Sequence, residues 1–242
     1  MKLIINADDF GLSKSITDGI IEGIKGGYIT STSLMVNMPF AKYAIDEAVK
    51  KNINCIGLHV NLTAGKPVIE NKNLVDENVF FLHNKIQKEN PKLTYEDVYT
   101  EIIAQLELVH KYSNGKIKID HLDTHHYMFC NETIKQAVID IANKLDIPVR
   151  NESNITQNVK KPDEIYTDFT MINVNMDKLK EMIKIYSDKN IVVELVAHTG
   201  YVDEYTKSIT SYIDREKELK VLKEAKKLGI FNNIDLINFS MI

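Results

Sequence analysis

The sequence predicts an α/β chain folded as an irregular (β/α) barrel of about seven or eight parallel strands, and three observations predict it. Segments rich in Ile and Val alternate, nearly to the C-terminus, with segments whose apolar residues recur at helical spacing. The glycine fingerprint of a dinucleotide fold is missing after the first strand, which argues against an open doubly wound sheet. The polar residues least suited to a core gather where predicted strands end, and in a parallel barrel all those ends open on one face.

Each element follows from its own pattern. Lys2 to Asn6 reads as the first strand, and Ser13 as the N-cap of a helix with Ile16, Ile20 and Ile24 on one face, stopped by Gly26 and Gly27. Ser31 to Val36 and Asn54 to Val60 read as further strands. Gly65 to Asn90 is the longest interruption, polar apart from a buried-looking Val79, Phe80, Phe81 and Leu82 cluster; it reads equally as a cover over a site or as a passive loop. Tyr95 to Tyr112 carries a helical stripe of Val98, Ile102, Leu106 and Val109. Ile117 to Asp120 reads as a strand and Ile134 to Leu145 as a helix. Short strands are expected near Val149 and near Phe169, and a helix over Met176 to Ile185. A strand over Ile191 to Ala197, a helix over Asp214 to Lys227 and a strand over Ile234 to Phe239 complete the pattern.

Composition bounds what such a barrel can do. The chain has 242 residues with 30 basic and 34 acidic side chains, a net charge of −4, and 44% hydrophobic content, which excludes disorder and collagen-like repetition. No repeat or linker divides it, so a single barrel domain over residues 1–242 is expected. A slightly acidic chain offers no general field for phosphate backbones, so a small neutral or polar ligand is expected rather than nucleic acid. No apolar run is long enough to cross a bilayer, and the opening MKLIINADDF is too short in apolar residues for a signal peptide, so a cytoplasmic protein is expected. Cys55 and Cys130 match no metal spacing and read as buried free thiols.

The chemistry concentrates in Asp8 and Asp9, His59, the run His121-Leu122-Asp123-Thr124-His125-His126, and Glu194 with His198. Strand alternation puts His121, Asp123 and His125 on one face and His126 on the other, toward the helices or the rim. It likewise turns His59 inward between Leu58 and Val60, and groups Glu194, Val196 and His198. Two imidazoles and a carboxylate can hold a divalent cation while leaving positions for water and substrate. A second carboxylate beside the first can stay off the cation and act as a base, and Asp8 and Asp9 provide such a pair. Taken singly, an Asp-Asp after a strand is commonly a loop start or cap, and a lone histidine commonly a packed one. Two histidines and an aspartate on one strand face are harder to satisfy in a core without a ligand. His83 and His110 fall in polar contexts and are expected to face solvent.

At these residues the sequence resembles the YdjC-like carbohydrate deacetylases, whose best-described members are chitooligosaccharide deacetylases. The resemblance rests on NADDFGLS (Asn6 to Ser13), TSTSLMVN (Thr30 to Asn37), GLHVNLT (Gly57 to Thr63), HLDTHH (His121 to His126) and VELVAHTGY (Val193 to Tyr201), which in order and spacing span most of the chain. It implies an irregular (β/α) barrel related to polysaccharide deacetylases. Asp9, His59 and His125 would be the ligands of a divalent metal, usually magnesium, with zinc or another transition metal as the other choices. Asp8 would be the general base, and His198 the general acid that protonates the leaving amine. Arg150 matches a family arginine that supports the site, and His121, Asp123 and Glu194 would stand behind it or touch substrate. Family members are often dimers, so a homodimer is an expectation of the same kind. Tyr127 stands where the family often extends the histidine run, and HTG replaces its HPG.

The implied reaction is removal of an N-acetyl group from an amino sugar or short oligosaccharide. The sequence has no Trp, so Tyr127, Phe129, Tyr201 or Tyr205 would have to give a sugar its apolar platform. Three other readings stay open: an iron-type facial triad from His121, Asp123 and His198, a metal phosphoesterase, and a non-catalytic sugar-binding barrel.

Overall fold

A computed structural model describes residues 1–242. Its sheet grows around β1 (Lys2–Phe10), whose Leu3, Ile4, Ile5 and Ala7 are buried on both faces, as a central parallel strand requires. On one side lie β2 (Ser31–Leu34), β3 (Ile56–Val60) and β4 (Leu122–Thr124); on the other lie β6 (Val192–Ala197) and β5 (Glu164–Tyr166). The two-residue β7 (Asp235–Leu236) also pairs with β1, and every pairing is parallel.

The sheet curls into a half-barrel. Strands β4 and β6 are four places apart along it, about 19 Å if the sheet were flat at about 4.8 Å per step. Yet the Arg150 guanidinium reaches Asp123 of β4 at 2.9 Å and Glu194 of β6 at 2.8 Å. No backbone ladder joins the edge strands β4 and β5, so this ion pair network spans the seam.

Helices cover the outside: α1 (Lys14–Lys25), α2 (Ala41–Lys51), α3 (Asn84–Lys88), α4 (Tyr95–Ser113), α5 (Glu132–Leu145), α6 (Met176–Tyr186), α7 (Glu204–Ile209) and α8 (Arg215–Lys227). Their starts are chemically marked. The Ser13 hydroxyl accepts from the Ile16 amide at 3.1 Å, Thr94 and Asp97 form a capping box at α4, and Asn131 caps α5. Their apolar faces join one cluster of 50 buried residues that runs through the sheet. No helix is long and apolar enough to cross a membrane.

The five helices given bounds from the sequence (α1, α4, α5, α6 and α8) lie within two residues of them, whereas several strands differ. The first runs to Phe10, not Asn6, because Asp8 and Asp9 are carried on the strand itself. The strand expected over Ile117 to Asp120 begins at Leu122; before it, the chain meets β3 through Asp120 N–H to Ile56 C=O and Leu58 N–H to His121 C=O. Near Val149 there is a single bridge to Leu122, the strand expected near Phe169 is Glu164–Tyr166, and Ile234 to Phe239 shrinks to β7 followed by a 3₁₀ turn over Phe239–Met241. The thiols also differ from expectation: Cys55 is half-buried and Cys130 exposed. Of the Val79 to Leu82 cluster only Phe81 is buried, while Val79 and Phe80 face outward.

Candidate functional site

Strict alternation would turn Asp8 and Asp9 to opposite faces. The β1–β2 register shifts between Ala7 and Phe10, and Asp9 takes φ +70°, a left-handed conformation that aspartate tolerates better than most residues. This bulge brings both carboxylates into one cleft.

Asp9 Oδ1 lies 3.6 Å from His59 Nε2 and 3.3 Å from His125 Nδ1, and the two nitrogens are 3.3 Å apart. Neighbouring donors on a cation bound at about 2.1 Å stand roughly 3.0–3.4 Å apart, so this triangle fits one. Asp9 Oδ1 is buried and accepts no hydrogen bond, a costly state for a carboxylate oxygen unless a cation meets it. His59 is aimed from behind: its Nδ1 donates to Asp123 Oδ1 at 2.8 Å, leaving Nε2 for the cleft. Burial opposes charge on His59, but Asp123, Asp8 and Asp9 outweigh it and push the imidazole up to about 9. A cation held here at neutral pH would have to displace a proton from this ring.

Asp8 is gripped bidentately by Arg150, at 2.8 and 2.6 Å, and receives the Asn6 amide at 2.8 Å. Its Oδ2 stands 3.8 Å from His198 Nε2. His198 is held through its main chain, its N–H donating to Glu218 at 2.5 Å, and burial lowers its pKa below the ordinary 6.5. Arg150 also binds Glu194, whose carboxyl burial pushes up to about 7. Asp123 moves the other way: burial would raise its pKa, but Arg150 and His59 hold it well below the usual carboxylate range.

His121 lies deeper. Its ring stacks on Phe239 at 3.8 Å, and its nitrogens meet Asp120 at 2.6 Å and the Ser33 hydroxyl at 3.1 Å. Ser33 in turn donates to Asp123 at 2.7 Å. Gly57 makes the room, since a Cβ there would fall 2.3 Å from the His121 ring. With both nitrogens engaged, His121 is withdrawn from any triad with His198. His126 sits at the rim, against the Thr63 hydroxyl at 2.9 Å, and His83 and His110 are exposed.

Two charged residues went unmarked in the sequence, Arg215 in the cleft wall and Glu218 buried behind it. Arg215 Nη2 binds Asp9 Oδ2 at 2.6 Å, so that Oδ1 alone is left free. Glu218, buried and pushed up to about 8, accepts from both His198 N–H and the Tyr212 hydroxyl. The helical stripe through Leu219 and Leu222 carries the signal, because Arg215 and Glu218 stand four positions before these two leucines and share their buried face. Both guanidiniums are paired with carboxylates, so neither stands free for a phosphate. Of the expected sugar platforms, Phe129 is buried, the Tyr201 hydroxyl is on Glu22, and Tyr205 packs edge-on to Phe40; only Tyr127 lines the cleft.

The cleft encloses about 230 Å³ and contains Asp8, Asp9, His59, His125, His198 and Tyr212. Asp9, His125 and Arg215 also line an adjoining cavity of about 500 Å³.

A family model described as YdjC-like protein matches residues 2–229. A carbohydrate deacetylase of Clostridium beijerinckii is 37% identical over 252 aligned positions, covering 100% of both chains. One from Oceanobacillus iheyensis is 33% identical, covering 92% of this chain and 96% of its own. Among solved structures, an Enterococcus faecalis protein described provisionally as a cellobiose-phosphate cleavage protein superposes with a TM-score of 0.89 at 30% identity, covering 99% of this chain and 98% of that one. A peptidoglycan deacetylase of Bacillus subtilis shares the fold at a TM-score of 0.53 and 11% identity, covering 99% and 88%.

Proposed function

The chain belongs to the YdjC-like family, and from that premise we propose that it is a metal-dependent hydrolase removing the N-acetyl group of an amino sugar or short oligosaccharide. The observation that carries the metal is the unpartnered Asp9 Oδ1 facing His59 Nε2 and His125 Nδ1. These three residues would hold the cation, which when bound supplies Lewis acidity to the amide carbonyl and to a water. Two imidazoles and one carboxylate suit zinc or a neighbouring transition metal better than magnesium, which prefers an all-oxygen shell.

Asp8 takes the proton of the attacking water, its carboxylate oriented by Arg150 and Asn6. His198 protonates the leaving nitrogen, without which an amine is a poor leaving group. A lowered pKa makes His198 a poor store of protons at neutral pH, but its Nε2, 3.8 Å from Asp8 Oδ2, is placed to receive the proton Asp8 has taken and pass it on. Arg215 keeps Asp9 Oδ2 occupied and so presents Oδ1 to the cation. Asp123, itself fixed by Ser33 and Arg150, aims His59, and Glu218 fixes the His198 backbone.

The single barrel over residues 1–242 is the catalytic unit in this reading, and its two unpaired thiols suit a reducing cytoplasm. The test is acetate release from N-acetylglucosamine oligomers after chelation and after reloading with zinc or magnesium. Release that survives complete chelation removes the metal from the mechanism, and no release under any loading removes the activity.

A further inference from the structure

We propose that Phe80 is the stacking platform for a second sugar unit, the one linked to the sugar whose acetyl group is removed. The inference rests on the deacetylase reading above and adds to it where the rest of an oligosaccharide lies.

The cleft does not end at the cation ligands. The adjoining cavity of about 500 Å³ shares Asp9 and His125 with it, and in turn shares Met38, Gly65 and Phe80 with a third cavity of about 420 Å³. The three form one groove leading away from the reacting centre, and Phe80 is the aromatic residue common to its two outer parts. Thr63 and Ser211 in the nearer part and Lys66 in the farther part offer hydrogen-bonding groups for ring hydroxyls. An apolar face beside a few polar groups is what a pyranose ring requires, and the chain has no Trp to supply that face.

Phe80 is built to stay exposed. It is 46% exposed while the next residue, Phe81, is 6% exposed and belongs to the core. The turn that separates them is specific: the Asp76 carboxylate accepts from the Asn78 and Phe80 amides, and Asp76 N–H donates to Phe80 C=O at 2.9 Å. Val79 takes φ +64°, which a β-branched residue adopts only at a cost, and a strained backbone of this kind persists where its surroundings impose it.

The loop behind Phe80 is a wall rather than a swinging cover. The buried Glu101 carboxylate of α4 accepts from the Val68 and Ile69 amides, Asp97 accepts from Asn71 and Asn73, and the Asn37 amide donates to Lys66 C=O. An aromatic ring held on a fixed backbone loses little freedom when a ligand covers it. In the free chain the exposed Lys66 ammonium lies 5.0 Å from the ring centroid, a weak contact at a solvated site that a sugar ring displaces.

The test compares wild type, Phe80→Ala and Phe80→Trp on N-acetylglucosamine, its β-1,4-linked dimer and trimer, by kcat/KM and by calorimetric binding. In Phe80→Ala the preference for trimer over monomer is expected to shrink by about tenfold, mainly through KM, and Phe80→Trp is expected to restore it. A trimer-to-monomer ratio that ignores residue 80 overturns the platform while leaving the deacetylase reading intact. Wild type that hydrolyses none of the three, yet binds them with a preference that depends on Phe80, overturns the deacetylase reading and keeps the platform. Wild type that neither hydrolyses nor binds any of them overturns both.

Discussion

Arg215→Met keeps most of the buried volume at the N-terminus of α8 and removes the charge that faces Asp9 Oδ2 at 2.6 Å. Both side chains are almost completely buried, so the variant leaves a carboxylate enclosed with its principal counter-charge missing. Breaking one partner of such a pair costs about 3–5 kcal/mol. At about 2–4 °C per kcal/mol for a chain of this size, that is a fall of roughly 6–20 °C in Tm in chelator at pH 7.

The pH dependence has a definite sign. Burial tends to raise the Asp9 pKa, but Arg215, with His125 and His198, holds it well below the ordinary 3.8. In wild type the stability drawn from the charged carboxylate is complete above about 3.8 and is lost only as pH falls through the lower folded value. Without Arg215 burial is less opposed, so the variant's Asp9 protonates at higher pH and sheds its unpaired charge. The gap between variant and wild type is therefore widest near neutrality and narrows toward pH 4. At pH 7 a divalent cation returns positive charge to Asp9 and should recover part of the lost Tm. Thermal unfolding from pH 4 to 8, in chelator and with zinc, reads all three effects. A Tm equal to wild type in chelator at pH 7, or a gap that widens as the solution is acidified, would refute the reasoning.

Three further outcomes follow from the same geometry. Asp8→Asn should lower acetate release by about 10²–10⁴-fold while zinc still binds in calorimetry, and loss of both together would contradict a base that stands off the metal. Asp123→Asn should weaken zinc binding by about 10–100-fold, because His59 loses the acceptor that aims it; an unchanged dissociation constant would show that His59 needs no such support. Glu218, pushed up to about 8 chiefly by burial, makes wild type lose stability as pH rises from about 4.5, since the unfolded chain ionises there first and the fold does not. Glu218→Gln should therefore gain Tm relative to wild type between pH 5 and 8, and a constant difference across that range would mean that Glu218 is already charged in the fold.

What could be read in the sequence depended on whether periodicity or contact decided it. Helices such as Glu132–Leu145 and Tyr95–Ser113 were legible because a buried stripe repeats over several turns. The inward set of His59, Asp123 and Glu194 was legible because it obeys a period of two. Asp8 and Asp9 were legible as adjacent carboxylates and by the family resemblance but not by that period, because only the bulge with φ +70° turns both into the cleft. Arg215 and Glu218 were hidden by their neighbours: in α8 most charges face solvent, and only the register with Leu219 and Leu222 separates these two from the rest. Phe80 was misread as core because Phe81 beside it is core, and the Asp76 turn that divides them has no apolar pattern. The short β5 and β7 are recognised by their partners on β6 and β1, which no local composition encodes.

Arg150 stitches Asp8, Asp123 and Glu194 across an opening that no main-chain ladder closes. The same fastener therefore sets the width of the half-barrel and the aim of the proposed base. Repacking the seam with apolar side chains would offer a sturdier shell whose hydrolytic centre had drifted out of alignment. Selection acting on turnover and selection acting on architecture meet in that one side chain, leaving neither free to change it alone.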